Sequence, residues 1–264
     1  MNKNKLFRNL FIILVYIFLF LPIIILILYS FNDSKMNIIF THFTLRWYQE
    51  LIHNQELLNA FSNTLIIAIT STAISTVIGT ISAVGLFKYK FPGKNLINGL
   101  IYIPIVIPEI VLGISLLSVY TLSKLELGIG TILLSHIAFS IPYVITSVRS
   151  TLNPMTSQIE EAAYDLGASK LKTFWYVTLP MIFPGVVSGA ALAFTLSLDD
   201  VVISYFTAGP GSNTLPLKIY SMIKTGITPD VNALSSIILL ITIVVLTVAT
   251  IYQTKTIQKR EMAK

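Results

Sequence analysis

Two long stretches of this chain contain no acidic or basic side chain, one between Glu56 and Lys88 and one between Asp230 and Lys255. A helix of about 20 predominantly apolar residues crosses a bilayer core, and both stretches exceed that length. The composition agrees. Hydrophobic residues make up 54% of the chain and charged residues only 11%, against about 25% in ordinary globular proteins. The chain is therefore expected to be embedded in a membrane. It is also expected to be all-α, because lipid offers no partner to an open backbone.

Apolar runs of spanning length predict six transmembrane helices, roughly over residues 9–30, 62–86, 97–121, 128–148, 184–206 and 232–252. The first has basic residues before it (Lys3, Lys5, Arg8), as a signal peptide would. Its apolar run from Leu10 to Tyr29 outlasts the roughly 7–15 residues of a signal core, and no small-residue cleavage site follows. It is expected to be a retained span. Basic residues gather on the cytoplasmic side of membrane proteins. With the N-terminus inside, thirteen of the eighteen lysines and arginines fall in the cytoplasm, leaving Lys35, Arg46, Lys124, Lys218 and Lys224 outside. Both termini are then cytoplasmic.

The net charge of +6 is explained by these membrane edges, so no nucleic-acid partner is implied. Lipid is the expected surrounding. Cysteine is absent, which excludes disulfides and thiolate chemistry. His42, His53 and His136 are too far apart for a local metal motif. Neither a metal nor another cofactor is expected in the chain.

Two connections are too long for turns. Residues 31–61 are expected outside, with Trp47 and Tyr48 as interfacial anchors. Residues 149–183 are expected in the cytoplasm and include EEAAYDLGASKLKTFWYVTLP from Glu160 to Pro180. Ser157 to Leu166 has helical character, with Ser157 a candidate N-cap and Glu160 completing a capping box. Gly167 is placed to end that helix, and Ala168 to Trp175 to form another. A short helical pair on the membrane surface would satisfy this pattern by itself.

Three acids fall inside predicted spans: Glu109 in the third, Asp199 and Asp200 in the fifth. Each costs about 2.5–3.5 kcal/mol at a helix centre on insertion scales, which marks it as a candidate functional group. Counting residues puts Glu109 near the midplane and the aspartates toward the outer third. No lysine or arginine lies in the predicted spans to balance them. Three accommodations are open: a cation from a neighbouring subunit, protonated and hydrogen-bonded carboxyls, or a cationic substrate. Adjacent helical residues point about 100° apart, so Asp199 and Asp200 are not expected to face one path together. Pro104 and Pro108 interrupt the pattern just before Glu109, freeing carbonyls for a cavity, and Pro142 is expected to do the same in the fourth span. For Pro104 and Pro142 a packing kink explains the residue equally well. Tyr205 and Phe206, beside the aspartates, offer cation–π faces, whereas Tyr102, Tyr120 and Tyr143 suit interface anchors. His136 suits an interhelical hydrogen bond.

The 149–183 loop resembles the signature loop of ABC importer permeases, carried by Glu161-Ala162-Ala163, Gly167, Val177 and Leu179-Pro180. Val177 stands where isoleucine is commoner. The resemblance implies a coupling helix that seats in a cleft of an ATP-hydrolysing subunit. The small Ala162 and Ala163 would allow close approach, Glu161 would pair with a partner cation, and Leu179-Pro180 would lead into the fifth span. No G-x-x-x-x-G-K-[ST] motif occurs, and Gly93-Lys94-Asn95 lacks both the leading glycine and the hydroxyl. ATP hydrolysis would be supplied in trans, and no enzymatic site is visible.

The segments from Leu198 to Phe206 and from Leu215 to Met222 resemble those of spermidine/putrescine permeases, and the resemblance extends over essentially the full length of the chain. Phe43 to Tyr48 and Asn63-Thr64-Leu65 are shared more widely among importer permeases. This resemblance implies one permease domain, residues 1–264, in a bacterial inner membrane. Its implied partners are a homologous second permease, two copies of an ATPase and an extracytoplasmic polyamine-binding protein. Glu109, Asp199, Asp200, Tyr205 and Phe206 are the substrate candidates. A permease for another small solute is the nearest alternative, and a proton-coupled carrier using the acids as relays is a more distant one.

Overall fold

In a computed structural model the described residues are 3–34, 39–225 and 228–262. Lys35 and Lys264, used above for orientation, lie outside them. The fold is helical, with one isolated antiparallel bridge between Asn32 and Phe43 and no named strand among the described residues. The helices are α1 Lys3–Tyr29, α2 Arg46–His53, α3 Gln55–Lys88, α4 Lys94–Val106, α5 Glu109–Leu122, α6 Ile129–Arg149 and α7 Pro154–Asp165. The chain continues as α8 Lys170–Thr173, a π-helical turn at Phe174–Thr178, α9 Leu179–Asp199, α10 Val202–Thr207, α11 Leu215–Thr225 and α12 Pro229–Met262.

Among the described residues four helical stretches are long and apolar enough to cross a membrane: Phe7–Tyr29, Gln55–Lys88, Ile129–Arg149 and Lys170–Asp199. The first, second and fourth expected spans correspond to three of these. The third does not form as a continuous rod. It breaks into α4 and α5, bent by 111°. At about 1.5 Å per residue neither half covers a core of about 30 Å. The cause is local. Pro108 has no N–H and disfavours helical geometry at the residue before it, and Ile107 is extended, at φ −69° and ψ 136°. Pro104 and Pro142, by contrast, sit inside unbroken helices. The fifth expected span, 184–206, is also divided: α9 ends at Asp199 and α10 begins at Val202. The sixth lies on α12. Its apolar part with described side chains is Pro229–Val244, and most side chains beyond that fall outside the described set.

Internal contacts divide the chain into two units, Met1–Leu58 with Met222–Lys264, and Asn59–Ser221. In the first unit Trp47 is 3% exposed rather than sitting at an interface. Its indole Nε1 donates to the Asn32 carbonyl at 2.5 Å. The Tyr48 hydroxyl lies 2.8 Å from Ser30 Oγ. Asn32 itself bridges the loop, accepting from Thr41 N and donating to the Ile39 carbonyl, both at 2.8 Å. Residues assigned to solvent by composition thus form a closed, hydrogen-bonded knot. Gln55–Phe61, expected to be loop, is the start of α3.

In the second unit α6 and α9 pack closely, with Val144, Ile145, Val148, Ile182 and Ala193 buried between them and α3. Small residues make the approach possible, as in membrane helix pairs where van der Waals contact replaces the hydrophobic drive. A Cβ on Gly189 would lie 3.1 Å from Val144 Cα. Ser147 Oγ crosses to the Gly185 carbonyl at 3.0 Å. Neither contact tolerates a larger residue without movement of backbone.

Candidate functional site: an acidic cavity and an exposed helical loop

The two helix breaks build one cavity. It has a volume of about 300 Å³ and is lined by Pro104, Glu109, Leu112, Phe139, Tyr143, Leu196 and Asp199–Ile203. All three acids singled out by sequence therefore come together. Glu109 and Asp199 are exposed, and Asp200 is held within the wall. Counting residues along one rod does not locate Glu109, because it is the first residue after the 111° bend. The expectation that Asp199 and Asp200 cannot share a path also fails. Asp199 ends α9, Asp200 is extended at ψ 127°, and the 100° rule holds only within a helix.

Asp200 has a second set of contacts. Its Oδ1 accepts from Ile203 N at 3.1 Å and its Oδ2 from Ser204 N at 2.7 Å. The carboxylate thus caps the first turn of α10, which explains why the chain restarts as a helix there. The same Oδ2 lies 3.3 Å from His136 Nε2. His136 is buried; its Nδ1 lies 2.6 Å from Ser197 Oγ and its Nε2 3.2 Å from Ser204 Oγ. Ser197 Oγ continues to Ser71 Oγ at 3.1 Å. This chain ties α3, α9, α6 and α10 together, as expected of an interhelical histidine. It also adds an accommodation that the charge count missed: a neighbour for Asp200 supplied by the chain itself. A fully partnered buried network of this kind is stiff, because each member is costly to strand.

Tyr205 and Phe206 do not line the cavity. Tyr205 is 61% exposed and edge-on to Phe206, with ring centroids 5.4 Å apart. Phe206 packs on Gly113 of α5, where a Cβ would meet its ring at 2.6 Å. The aromatic wall is made instead by Phe139 and Tyr143. The signal for them was the spacing of His136, Phe139 and Tyr143 at i, i+3 and i+7, which is one face of a helix.

The 149–183 segment is helical where expected, but its caps differ. The N-cap of α7 is Asn153, whose Oδ1 accepts from Thr156 N at 3.1 Å, while Thr156 Oγ1 accepts from Asn153 N at 3.4 Å. Pro154 occupies the first helical position, where a missing N–H costs nothing. Ser157 is therefore inside the helix, not its cap. Glu160, released from capping, reaches Lys88 Nζ at 2.7 Å and accepts from the Thr178 hydroxyl. Gly167 ends α7 at φ +83°. Gly167 N donates to the Tyr164 carbonyl at 2.8 Å and Ala168 N to that of Ala163 at 3.0 Å, the paired bonds of a Schellman stop. The second helix begins at Lys170, not Ala168, and is capped by Ser169. It runs through the π-helical turn into α9, where Leu179 and Pro180 are the first two residues.

Glu161 and Ala162 are exposed and Ala163 is half-buried. On the same segment Leu166 is 89% and Tyr176 80% exposed.

Residues 75–261 match the family model described as binding-protein-dependent transport system inner membrane component. The spermidine/putrescine transport system permease protein PotC of Escherichia coli is 42% identical over 240 residues, covering 91% of each chain. The putrescine transport system permease protein PotI of the same organism is 38% identical, covering 88% of this chain and 85% of its own. Among solved structures, a bacterial ABC transporter involved in import of the acidic polysaccharide alginate aligns with TM-score 0.69 and 17% identity. That alignment covers 96% of this chain and 98% of the other, a likeness of fold. The chain is a multi-pass membrane protein and belongs to the family of binding-protein-dependent transport system inner membrane components.

Proposed function

We propose that this chain is the permease subunit of an ATP-driven importer and forms a path for polyamines, spermidine or putrescine, with a homologous second permease. The observation that carries the substrate is the cavity. Two exposed carboxylates, Glu109 and Asp199, and a third in the wall face about 300 Å³ beside two aromatic rings. Acceptors and π faces without a lysine or arginine among the lining residues suit a polycation. The names of the relatives at 38–42% identity support the same substrate class. In this reading Glu109 and Asp199 contact the amine, and Asp200 adds charge while holding the wall.

The whole chain acts as one permease domain, with α4–α5 as a bent third crossing and six crossings in all, both termini cytoplasmic. Glu161, Ala162, Ala163 and Gly167 form the coupling surface, and Leu179-Pro180 passes its motion into α9. Two ATPase copies and an extracytoplasmic polyamine-binding protein complete the importer. The chain itself hydrolyses nothing.

The test is uptake of labelled putrescine and spermidine into proteoliposomes holding the assembled complex, with and without ATP. Glu109→Gln and Asp199→Asn each remove one charge at constant size. A lost charge-assisted contact costs about 1–3 kcal/mol, or roughly a 5- to 150-fold loss of transport efficiency. Wild-type uptake per complex in both variants would remove the cavity from the path. Uptake driven by a proton gradient without ATP would instead favour a secondary carrier.

A further inference from the structure

The end of α3, the middle of α7 and the turn leading into α9 meet at one carboxylate. Glu160 is 4% exposed although it neighbours the exposed Glu161. Its Oε1 accepts both from Lys88 Nζ, at 2.7 Å, and from the Thr178 hydroxyl. Lys88 is the last residue of α3, where a cation also meets the negative end of the helix dipole. Thr178 is the last residue of the π-helical turn and is buried.

The covalent route from α7 to α9 runs through a left-handed glycine, a four-residue helix and a π-helical turn. It offers several places to flex. The Glu160 carboxylate bypasses all of them by bonding directly to the residue that precedes α9. Toward α3 the situation is sharper still. A cavity of about 530 Å³, lined by Val84, Lys88, Glu160, Tyr164 and Lys170 among others, lies between α3 and α7. The ion pair spans its edge, where close packing does not hold the two helices together.

We propose that Lys88, Glu160 and Thr178 form a joint that moves α3 and α9 together with α7, so that Lys88 and Glu160 are positioning residues for coupling. This rests on the permease reading above. The pair suits the role because the Glu160 carboxylate is buried while Lys88 is half-buried, so separating them leaves a buried charge without its cation, which makes the contact stiff. Motion of rigid elements about such contacts is how interfaces relay a distant event.

The experiment uses the complex reconstituted with its ATPase, second permease and binding protein, and compares Lys88→Met, Lys88→Arg and Glu160→Gln. ATP hydrolysed per polyamine imported is measured on assembled complex only. Lys88→Met and Glu160→Gln are expected to keep hydrolysing ATP while that ratio rises roughly 2- to 30-fold, the range for residues along a coupling route. Lys88→Arg, which keeps the charge, should stay near wild type. A merely structural role would lower assembly, hydrolysis and uptake together and leave the ratio unchanged. An unchanged ratio in assembled Lys88→Met overturns the proposal, and if that variant does not assemble, Glu160→Gln decides by the same criterion. Failure of the polyamine reading shows separately, as absence of ATP-driven uptake in the wild type. In that event, spin labels on Tyr89→Cys and Tyr164→Cys decide the matter. Their distance should hold through ATP binding in the wild type and widen in Lys88→Met, and equal behaviour in both refutes the joint.

Discussion

Asp199 and Asp200 are adjacent in sequence, yet substitution should have opposite signatures at the two positions. Asp200→Ala removes the acceptor for Ile203 N and Ser204 N, a cap worth about 0.5–2 kcal/mol. It also removes the contact with His136 at 3.3 Å, worth about 1.5–3 kcal/mol for a charged partner. The combined loss is about 3 kcal/mol, which corresponds to roughly 6–12 °C in Tm at 2–4 °C per kcal/mol. Asp200→Asn keeps one of the two cap bonds, because an amide has a single acceptor oxygen where the carboxylate uses both. It should cost about 1–2 kcal/mol, less than Asp200→Ala. Asp199→Asn, at an exposed position, should stay within about 0.5 kcal/mol and show its effect in KM for the polyamine instead.

The assay is thermal unfolding of the purified protein in detergent, with a double-mutant cycle to His136→Ala. His136→Ala alone removes one partner each from Asp200 and Ser197 Oγ, which keep the Ile203 and Ser204 amides and Ser71 Oγ, at a cost of about 1.5–3 kcal/mol. The double variant should then fall short of the sum of the singles by about 1–3 kcal/mol. Additivity within about 0.5 kcal/mol, or equal Tm values for Asp200→Asn and Asp200→Ala, would refute the assignment of Asp200 as cap and histidine partner.

Three further outcomes follow from other sites. Gly209→Ala places a Cβ 1.8 Å from the Leu127 carbonyl oxygen, which is backbone and cannot swing aside. It should cost upward of about 1–3 kcal/mol of stability, read as a lower Tm, whereas Gly130→Ala, with open space around it, should be neutral. Gly167→Ala forces an L-residue to φ +83°, about 1–2 kcal/mol, and Glu161→Lys reverses an exposed charge. Both should reduce co-purification of the ATPase while leaving the amount of protein in the membrane unchanged. Because the chain has no cysteine, single cysteines report topology without background. Asn213→Cys, at an exposed position beside the buried Ser212, should react with an impermeant maleimide on intact cells and Ser169→Cys should not; labelling of Ser169→Cys would invert the orientation.

What the sequence revealed and what it hid divide along physical lines. Charge-free runs such as that between Glu56 and Lys88 were legible as long helices, because only desolvation explains them. A hydropathy window, however, sums composition and is blind to direction, so the apolar stretch 97–121 looked continuous across a 111° bend. Pro108 was visible as an interrupter beside Glu109, but the size of the bend was not, since Pro104 four residues earlier is absorbed by its helix. The misplaced cap has a similar origin. Asn153-x-x-Thr156 and Ser157-x-x-Glu160 are both plausible boxes, and the discriminating clue was Pro154, which suits the first helical position and no later one. Glu160 was misread for that reason. Its true partners, Lys88 and Thr178, are brought to it by tertiary packing, as Asp200 and His136 are to each other. Spacing along a chain carries no record of such pairs.

The breaks in α4–α5 and α9–α10 belong to one design. An unbroken α4–α5 would carry Glu109 along a single rod. The bend turns α5 so that it packs against α10, with Phe206 filling the space over Gly113. Thr131 Oγ1 then fixes the far end of α10 by donating to the Thr207 carbonyl at 2.8 Å, while Asp200 and His136 fix its start. Each break also leaves acceptors behind. Pro108 has no N–H for the Pro104 carbonyl, and Pro104 lines the cavity. Three carboxylates and Pro104, whose carbonyl lacks its helical donor, then line one space, and none of the lining residues is a lysine or arginine. An anion would find few donors there, whereas an ammonium group, with three donors and no acceptor, matches the excess. Placing that excess at helix breaks also keeps the unpaired backbone inside protein rather than against lipid, the one setting in which a membrane helix can be interrupted cheaply.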